Sequence, residues 1–393
     1  MPDPKRIAVV SPRFPGGGTV GGAETLLKTL AGYAADAGIR VSCFSTCARN
    51  HFSWENELPA GTRTVDGLEI TFCPVNRGRD LETFLAIQQR IDRRRPISAE
   101  EERTWLRNSV NSDALCQRLG ELAAHFDRIV VGPYLFGITH AVARIAPEKT
   151  LLVPCLHDEP FAYLSVMREL FTRCRTIAFN SEPERDLAGR LYGQSCLAMP
   201  VVGMGFPPFK ADPEFFKRRH DIRAPYLIYS GRREVLKGTP LLMDYLDVFR
   251  KRTKRDVRLV LTGAGAIEPP ADLVSSILDL GFVDDQEKWN AMAGALAFCH
   301  PSVNESFGIV IMEAMLAGTP VLVHAAGDVL REACRRSGGG LWFRHYPDFE
   351  EALVRLMDQP GLTERLAAGG QAYVRKTYAV DAVTKRWMEA LSL

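Results

Sequence analysis

The strongest candidates for functional residues in this sequence are two glutamates, Glu305 and Glu313, with seven residues between them. The second lies in the stretch Asn304–Gly318, which is predicted to be a loop that runs into a helix starting at Gly308, and this helix is apolar except at Glu313. A helix that is apolar on every face is buried, and a buried carboxylate is costly unless it is paired or hydrogen-bonded. Glu313 therefore needs a partner, which is either a cation or an amide of its own domain or a ligand.

Two cations follow a strand predicted at Tyr226–Ser230. Arg232 and Lys237 come shortly after its end. In open α/β sheets ligands bind beyond the carboxyl ends of the strands, so both cations are expected at the same edge as the start of the Gly308 helix. An arginine can grip two phosphate oxygens and a lysine adds a mobile charge, so the pair suits a diphosphate. Taken alone, the stretch is better explained as a charged loop on a solvated surface.

One class of ligand satisfies both groups at once. Its anionic part would meet the cations and the free N–H groups at the start of the helix, and its hydroxyl pairs would meet the two carboxylates. A nucleotide diphosphate sugar has these parts, so the residues predict a site for such a molecule.

A glycine-rich stretch near the amino terminus gives a weaker signal. Gly16, Gly18 and Gly21 match the G-x-G-x-x-G dinucleotide fingerprint. Pro12–Pro15 separate these glycines from the first predicted strand, and no acid for a ribose follows the second strand, so NAD(P) binding is not favoured. What remains is a loop that opens a helix at Gly22, where backbone N–H groups could approach an anion. The alternative is a flexible loop with a glycine cap.

The elements that must position these residues alternate along the whole chain. Short β-branched runs alternate with longer amphipathic segments, which predicts the α/β class with Rossmann-like domains. The pattern pauses at a glycine- and proline-containing linker, Val201–Pro208, and a domain boundary is expected near residue 205. Ten strands are predicted: Ile7–Ser11, Val41–Thr46, Leu68–Cys73, Arg128–Gly132, Leu151–Leu156, Thr176–Asn180, Tyr226–Ser230, Arg258–Thr262, Leu296–His300 and Pro320–His324.

The composition excludes several classes of protein. Lys and Arg number 49 against 47 Asp and Glu, a balance too even for a general nucleic-acid binder. Nine cysteines and eight histidines are scattered without ligand spacing, so neither a disulfide framework nor a zinc site is expected, and no metal or cofactor is assigned. No signal peptide or membrane span is apparent in the sequence, which predicts a cytoplasmic location.

With these motifs in order, the sequence closely resembles the retaining glycosyltransferases of the GT-B fold, in the large family 4 group. The resemblance spans nearly the whole chain, and the glutamate pair is its E-x7-E motif. Its other parts are Gly21-Gly22-Ala23-Glu24, His157-Asp158-Glu159, Gly231-Arg232 with Lys237-Gly238, Gly281 to Asp285, Glu305 to Gly308 and Gly318 to Val321.

The resemblance implies an architecture and a reaction. Two Rossmann-like domains would face each other across a cleft, with acceptor-side residues 1–204, donor-binding residues 205–377 and a last helix in 378–393 that packs back on the first domain. A sugar would pass from a nucleotide-diphosphate sugar to an acceptor hydroxyl with retention and without a metal, in bacterial-type glycan or glycolipid assembly. A nucleotide-sugar epimerase or hydrolase of the same fold, and a non-catalytic nucleotide-sugar binding protein, are the alternatives.

The resemblance also implies a role for each matching residue. Glu313 would hold the donor ribose, Glu305 would contact sugar hydroxyls, and Arg232 and Lys237 would take the diphosphate. His157 would lie beside the transferred sugar. The remaining donor-binding residues would be Gly22 at the phosphates, Val283 at the base, and Ser306, Phe307, Gly308, Ile309 and Val310 around the sugar and phosphates.

Two segments depart from the family pattern or add to it. Ala325-Ala326-Gly327-Asp328 stands where the family usually has two glycines and an acid, so that donor contact is not carried over. A long excursion holds six arginines and Trp105 between Gln88 and Arg107. Because many members of the family act on lipid-linked acceptors, this excursion suggests peripheral contact with an anionic membrane at the inner face. Glu100, Glu101 and Glu102 interrupt it, so a solvated helix explains it equally well.

Overall fold

The computed structural model describes residues 5–14, 21–51 and 53–392, and the chain divides into two compact units. The amino-terminal unit contains Met1–Met204 and Val383–Leu393, and the carboxy-terminal unit contains Gly205–Ala382.

The amino-terminal unit is a seven-stranded sheet with helices packed against it. The strands lie in the order β3-β4-β2-β1-β5-β6-β7, and only β3 is antiparallel to its neighbour. The strands are β1 (Arg6–Val10), β2 (Arg40–Thr46), β3 (Gly61–Val65), β4 (Leu68–Cys73), β5 (Arg128–Val131), β6 (Thr150–Leu152) and β7 (Thr176–Ile177). The helices are α1 (Gly22–Asp36), α2 (Leu81–Asp92), α3 (Ala99–Asn108), α4 (Asp113–Leu122), α5 (Gly137–Val142), α6 (Ser165–Arg173) and α7 (Glu182–Tyr192).

The carboxy-terminal unit is a six-stranded parallel sheet in the order β10-β9-β8-β11-β12-β13. Its strands are β8 (Tyr226–Ser230), β9 (Arg258–Thr262), β10 (Ile277–Asp279), β11 (Ala297–His300), β12 (Val321–His324) and β13 (Gly340–Phe343). Its helices are α8 (Pro213–Arg219), α9 (Thr239–Thr253), α10 (Asp285–Ala293), α11 (Ile309–Leu316), α12 (Asp328–Ser337), α13 (Tyr346–Asp358) and α14 (Leu362–Thr377). The last helix of the chain is α15 (Val380–Ser392).

The α/β class is confirmed, and a strand lies at each of the ten predicted positions. The predictions Leu151–Leu156 and Thr176–Asn180 are too long, because only Thr150–Leu152 and Thr176–Ile177 form strands there. The central strands are buried along their length and rich in Val, Ile and Leu, as expected for parallel strands that are covered on both faces. Three strands were not predicted. β3 is an exposed edge strand, β10 has three partly exposed residues, and β13 follows a run of glycines, so none carries a strong apolar signal.

Helix α15 is tied to the amino-terminal unit from Val383 onwards. Trp387 is fully buried, and its indole N–H donates a hydrogen bond of 2.9 Å to the carbonyl oxygen of Leu30 on α1. Arg386 donates two hydrogen bonds, of 3.2 and 3.1 Å, to the carbonyl oxygen of Val202. These contacts come from the helix face that its amphipathic sequence predicts to be buried.

The arginine-rich excursion forms α2 and α3, and it differs from the prediction in one respect. The Trp105 side chain is 3% exposed and stacks on Phe84 and Phe161, with ring centroids 5.9 and 5.4 Å apart. The expectation that Trp105 anchors at a membrane surface is therefore wrong, because its ring belongs to the core. No helix in the described part of the chain is long and apolar enough to span a bilayer.

Candidate functional site

The carboxyl edge of the six-stranded sheet gathers most of the predicted site residues. Gly238 ends the turn after β8 with a left-handed φ of 74°, and a Cβ there would lie 2.7 Å from the Pro301 side chain. A glycine at this position therefore lets the Lys237 turn lie directly against the loop after β11. This close approach brings Lys237 and Glu305 together.

Glu305 is held by two donors on one oxygen. Its Oε1 lies 2.7 Å from Lys237 Nζ and 3.1 Å from His300 Nε2. Burial alone would raise the pKa of Glu305, but the charge of Lys237 and the hydrogen bond from His300 outweigh burial and lower the pKa well below its usual range. Glu305 is therefore a fixed carboxylate at neutral pH.

Glu313 has the partner that its burial demands, and that partner is Lys288 on α10. Lys288 Nζ lies 2.7 Å from Glu313 Oε1 and 2.9 Å from Asp285 Oδ1. Burial raises the pKa of Glu313, although Lys288 acts in the opposite direction. Glu313 Oε2 has no hydrogen-bond partner within the described residues, so one buried acceptor remains for another donor.

The two adjacent arginines after β8 differ in exposure and in the contacts that they make. Arg232 is half-exposed, and its Nη1 lies 3.1 Å from Glu234 Oε1. Arg233 is buried, forms a bidentate ion pair with Asp279, and donates to the carbonyl oxygens of Gly263 and Gly265. Arg232 is therefore the more accessible of the two, whereas Arg233 fixes the loops that follow β8 and β9.

The start of α11 presents backbone rather than side chains. Gly308 has a φ of 84°, and a Cβ there would lie 2.5 Å from Leu330 Cδ2, so this position requires glycine. Phe307 is buried against Phe206 and Tyr378. Phe307 thus belongs to the core, and the first N–H groups of α11 follow directly after it.

The other predicted residues of this stretch surround the same turn. Ser306 is buried, and Ile309 and Val310 occupy the first turn of α11 and are partly buried. Val283 is partly buried in the loop between β10 and α10, next to Phe282, which is exposed.

His157 belongs to the amino-terminal unit and follows β6. Its Nδ1 lies 3.5 Å from Glu159 Oε1, and the buried Tyr134 hydroxyl donates a hydrogen bond of 2.7 Å to the same oxygen. The imidazole is partly exposed, so its other nitrogen can face a ligand. The sequence did not identify Tyr134, because a tyrosine after a buried strand carries no distinctive signal.

Gly22 is the first residue of α1, and Gly21 precedes it as the helix cap without a side-chain cap bond. Arg13 makes two hydrogen bonds to Glu24 in the first turn of this helix, of 3.0 and 2.6 Å. This ion pair was not predicted, because eleven residues separate its partners. Gly16 and Gly18 lie outside the described residues.

Among the described residues no group of three or more His, Cys, Asp or Glu side chains is arranged to hold a metal ion. The charged side chains described above include a lysine, an arginine and a carboxylate. Such groups can bind an anion that carries hydroxyl groups.

Comparisons with known proteins agree with this arrangement. Residues 211–373 match the family model described as glycosyl transferases group 1. The chain is 27% identical to the D-inositol 3-phosphate glycosyltransferase of Frankia alni, with 90% of each chain covered. It is 36% identical to the phosphatidyl-myo-inositol mannosyltransferase of Mycobacterium leprae over 38% of this chain and 42% of that one.

The solved structure of Anabaena HepE in complex with UDP-glucose has the same fold. The TM-score is 0.70 at 18% identity, over 98% of this chain and 99% of that chain. The resemblance drawn from the sequence motifs is confirmed. Residues 211–373 match the glycosyl transferases of group 1, and the chain is a glycosyltransferase with the GT-B fold.

Proposed function

We propose that the protein transfers a sugar, with retention of configuration and without a metal ion, from a nucleotide-diphosphate sugar to an acceptor hydroxyl. The observation that carries this proposal is the contact of 2.7 Å between Lys237 and Glu305 beside the start of α11. A cation for phosphate, a carboxylate for sugar hydroxyls and the helix N–H groups lie in one place within the carboxy-terminal unit.

In the proposed reaction the bond between the anomeric carbon and the diphosphate oxygen breaks, and the acceptor oxygen bonds to the same face of the sugar. The acceptor proton passes to the leaving phosphate oxygen. Negative charge grows on the diphosphate as it leaves, and Lys237, Arg232 and the N–H groups of α11 are the protein groups that stabilise this charge. These groups meet the charge that a divalent ion would otherwise neutralise.

Glu313 and Val283 complete the donor site in this proposal. The free Oε2 of Glu313 accepts a hydrogen bond from a ribose hydroxyl, while Lys288 binds the other oxygen. Val283, in the loop before α10, contacts the base through a partly buried side chain. The role of His157 at the transferred sugar stays a prediction from the resemblance.

The names of the relatives suggest the class of acceptor. One relative is named for D-inositol 3-phosphate and another for phosphatidyl-myo-inositol. An acceptor hydroxyl on a phosphorylated polyol, or on a lipid or glycan that carries one, is therefore proposed for this chain.

Peripheral contact with an anionic membrane is part of this proposal and uses α2 rather than Trp105. Leu81 and Leu85 are 50% and 58% exposed at adjacent turns of α2, and Arg93, Arg94 and Arg95 are exposed just beyond its end. Clustered arginines contribute ~1 kcal/mol each near an anionic surface. Flotation with anionic vesicles is expected to carry the wild-type protein and not a Leu81→Ser, Leu85→Ser variant. Equal flotation with neutral vesicles would contradict this contact.

The function is tested with a thermal-shift panel of nucleotide sugars, including UDP-glucose, followed by product analysis. A true donor raises the melting temperature in proportion to occupancy. Incubation with that donor and a phosphorylated polyol acceptor is expected to yield a glycoside with the anomeric configuration of the donor. Donor turnover that is independent of acceptor would indicate a hydrolase or an epimerase, and binding without turnover would indicate a non-catalytic protein.

A further inference from the structure

His300 stands at the end of β11 and is almost completely enclosed. Its side chain is 4% exposed, and its ring stacks with the rings of Tyr229 and Phe298, with centroids 5.6 and 6.0 Å away. The surroundings of the ring are therefore aromatic, and a phenylalanine would fill the same space.

A histidine at position 300 is unfavourable for the stability of the fold because of its polar ring atoms. Nε2 lies 3.1 Å from Glu305 Oε1, but Nδ1 is buried and has no hydrogen-bond partner among the residues that the structure describes. A buried polar atom without a partner destabilises a protein by ~1–3 kcal/mol. Lys237 already neutralises Glu305, so the stability of the fold does not require the histidine.

The contact with Glu305 explains why a histidine rather than an apolar residue occupies position 300. Lys237 is a flexible chain that is also expected to move towards the diphosphate, and a lysine alone cannot fix the direction of a carboxylate. The His300 ring is immobilised by its aromatic neighbours, and it donates to the same oxygen from a second direction. Glu305 thus keeps one orientation whether or not Lys237 remains beside it.

Tyr229 links His300 to the loop that carries Arg232, one of the residues proposed to bind the diphosphate. Its ring stacks with His300, and its hydroxyl donates a hydrogen bond of 2.6 Å to the carbonyl oxygen of Arg232. The two rings therefore connect the loop that carries Arg232 to the carboxylate of Glu305.

We propose that His300 is a positioning residue that orients Glu305 towards the hydroxyl groups of the donor sugar, and that it is retained for this purpose at the expense of stability. The proposal rests on the sugar-binding role of Glu305 given above. His300 itself does not touch the nucleotide, so its effect is confined to the sugar part of the donor.

The test compares His300→Phe with His300→Gln, whose side-chain amide can donate to Glu305. His300→Phe is expected to keep or raise the melting temperature, to leave the affinity for free UDP unchanged, and to lower kcat/KM for the sugar donor ~10- to 100-fold. His300→Gln is expected to recover most of this loss. The matched control is His220→Phe, which removes another histidine–glutamate contact of the same unit, of 2.7 Å to Glu287, and is expected to change neither transfer nor UDP affinity.

A double-mutant cycle separates positioning from a structural role. In a Glu305→Ala background, which removes the group that His300 orients, His300→Phe is expected to have no further effect on kcat/KM. Full activity of His300→Phe, or an equal additional loss in the Glu305→Ala background, would overturn the proposal.

One readout does not depend on transfer. The imidazole ¹⁵N resonances of His300 are expected to shift on Glu305→Gln, and an unchanged spectrum would also overturn the proposal. If the wild-type protein transfers no sugar while these resonances do shift, the proposed function fails and the contact itself stands.

Discussion

Replacing Glu305 by glutamine is expected to weaken sugar transfer and, at the same time, to tighten the binding of free UDP. In the ligand-free chain the ammonium group of Lys237 is held by the Glu305 carboxylate at 2.7 Å. A diphosphate that binds at Lys237 must compete with this carboxylate and lies close to its negative charge. Glu305→Gln preserves the shape of the side chain and removes the competition.

The size of the effect follows from the distance. At an effective dielectric constant of 20, two unit charges separated by 2.7 Å attract with ~6 kcal/mol before desolvation is counted. The net value of a hydrogen bond between charged groups is ~1.5–3 kcal/mol. Because a diphosphate regains only part of this energy, UDP is expected to bind ~10-fold more tightly, which corresponds to ~1.4 kcal/mol. The loss of one charged contact to the sugar is expected to lower kcat/KM by ~100-fold.

Isothermal titration of UDP into the wild-type protein and the Glu305→Gln variant measures the first effect, and initial rates with the selected donor measure the second. Glu350→Gln on α13 is the control, because it breaks the ion pair of Glu350 with Arg252 on α9 of the same unit. The control is expected to bind UDP like the wild type. Weaker UDP binding by Glu305→Gln would refute the competition between Glu305 and the diphosphate.

Three further predictions concern other parts of the chain. Lys237→Ala is expected to lower turnover ~100-fold with the fold intact, while EDTA changes little; activity that EDTA abolishes and magnesium or manganese restores would contradict the metal-free proposal. Glu313→Gln is expected to weaken UDP and the sugar donor by the same factor, because the ribose is common to both, and titrations of the two ligands that give different factors would contradict this role. Burial raises the pKa of Glu184 to about 8 from 4.5. Between these values the folded chain holds a proton that the unfolded chain releases, so stability is expected to fall by ~1 kcal/mol per pH unit as pH rises. Urea unfolding of the wild type and Glu184→Gln across this pH range checks the slope, and parallel curves for the two proteins would oppose it.

The sequence predicted the sheets well because their central strands are buried on both faces. Such strands must be apolar over most of their length, and the runs within β1, β5 and β8 show this directly. Edge strands such as β3 have one or both faces in water and need no such pattern. The degree of burial therefore explains both results: buried strands have a clear apolar pattern, and the exposed strands that were missed do not.

The partners of the site residues could not be predicted, because they depend on contacts between distant segments. The sequence required a partner for Glu313, but Lys288 lies 25 residues earlier on another helix. Adjacent Arg232 and Arg233 look equivalent in the sequence, and only packing makes one buried and the other accessible. Likewise, Trp105 beside several arginines suggests a residue at a membrane surface, but in the structure its ring stacks on Phe84.

The spacing of the two glutamates acquires a physical meaning when their partners are considered. Glu305 lies in the loop before α11 and meets Lys237 from the turn after β8, whereas Glu313 lies within α11 and meets Lys288 from α10. The seven residues between the two glutamates thus separate them along the chain, and each glutamate meets a different lysine. Each carboxylate is paired with a lysine that is not part of the motif. A chain with both glutamates but neither lysine would keep the motif and would leave both carboxylates without these cations.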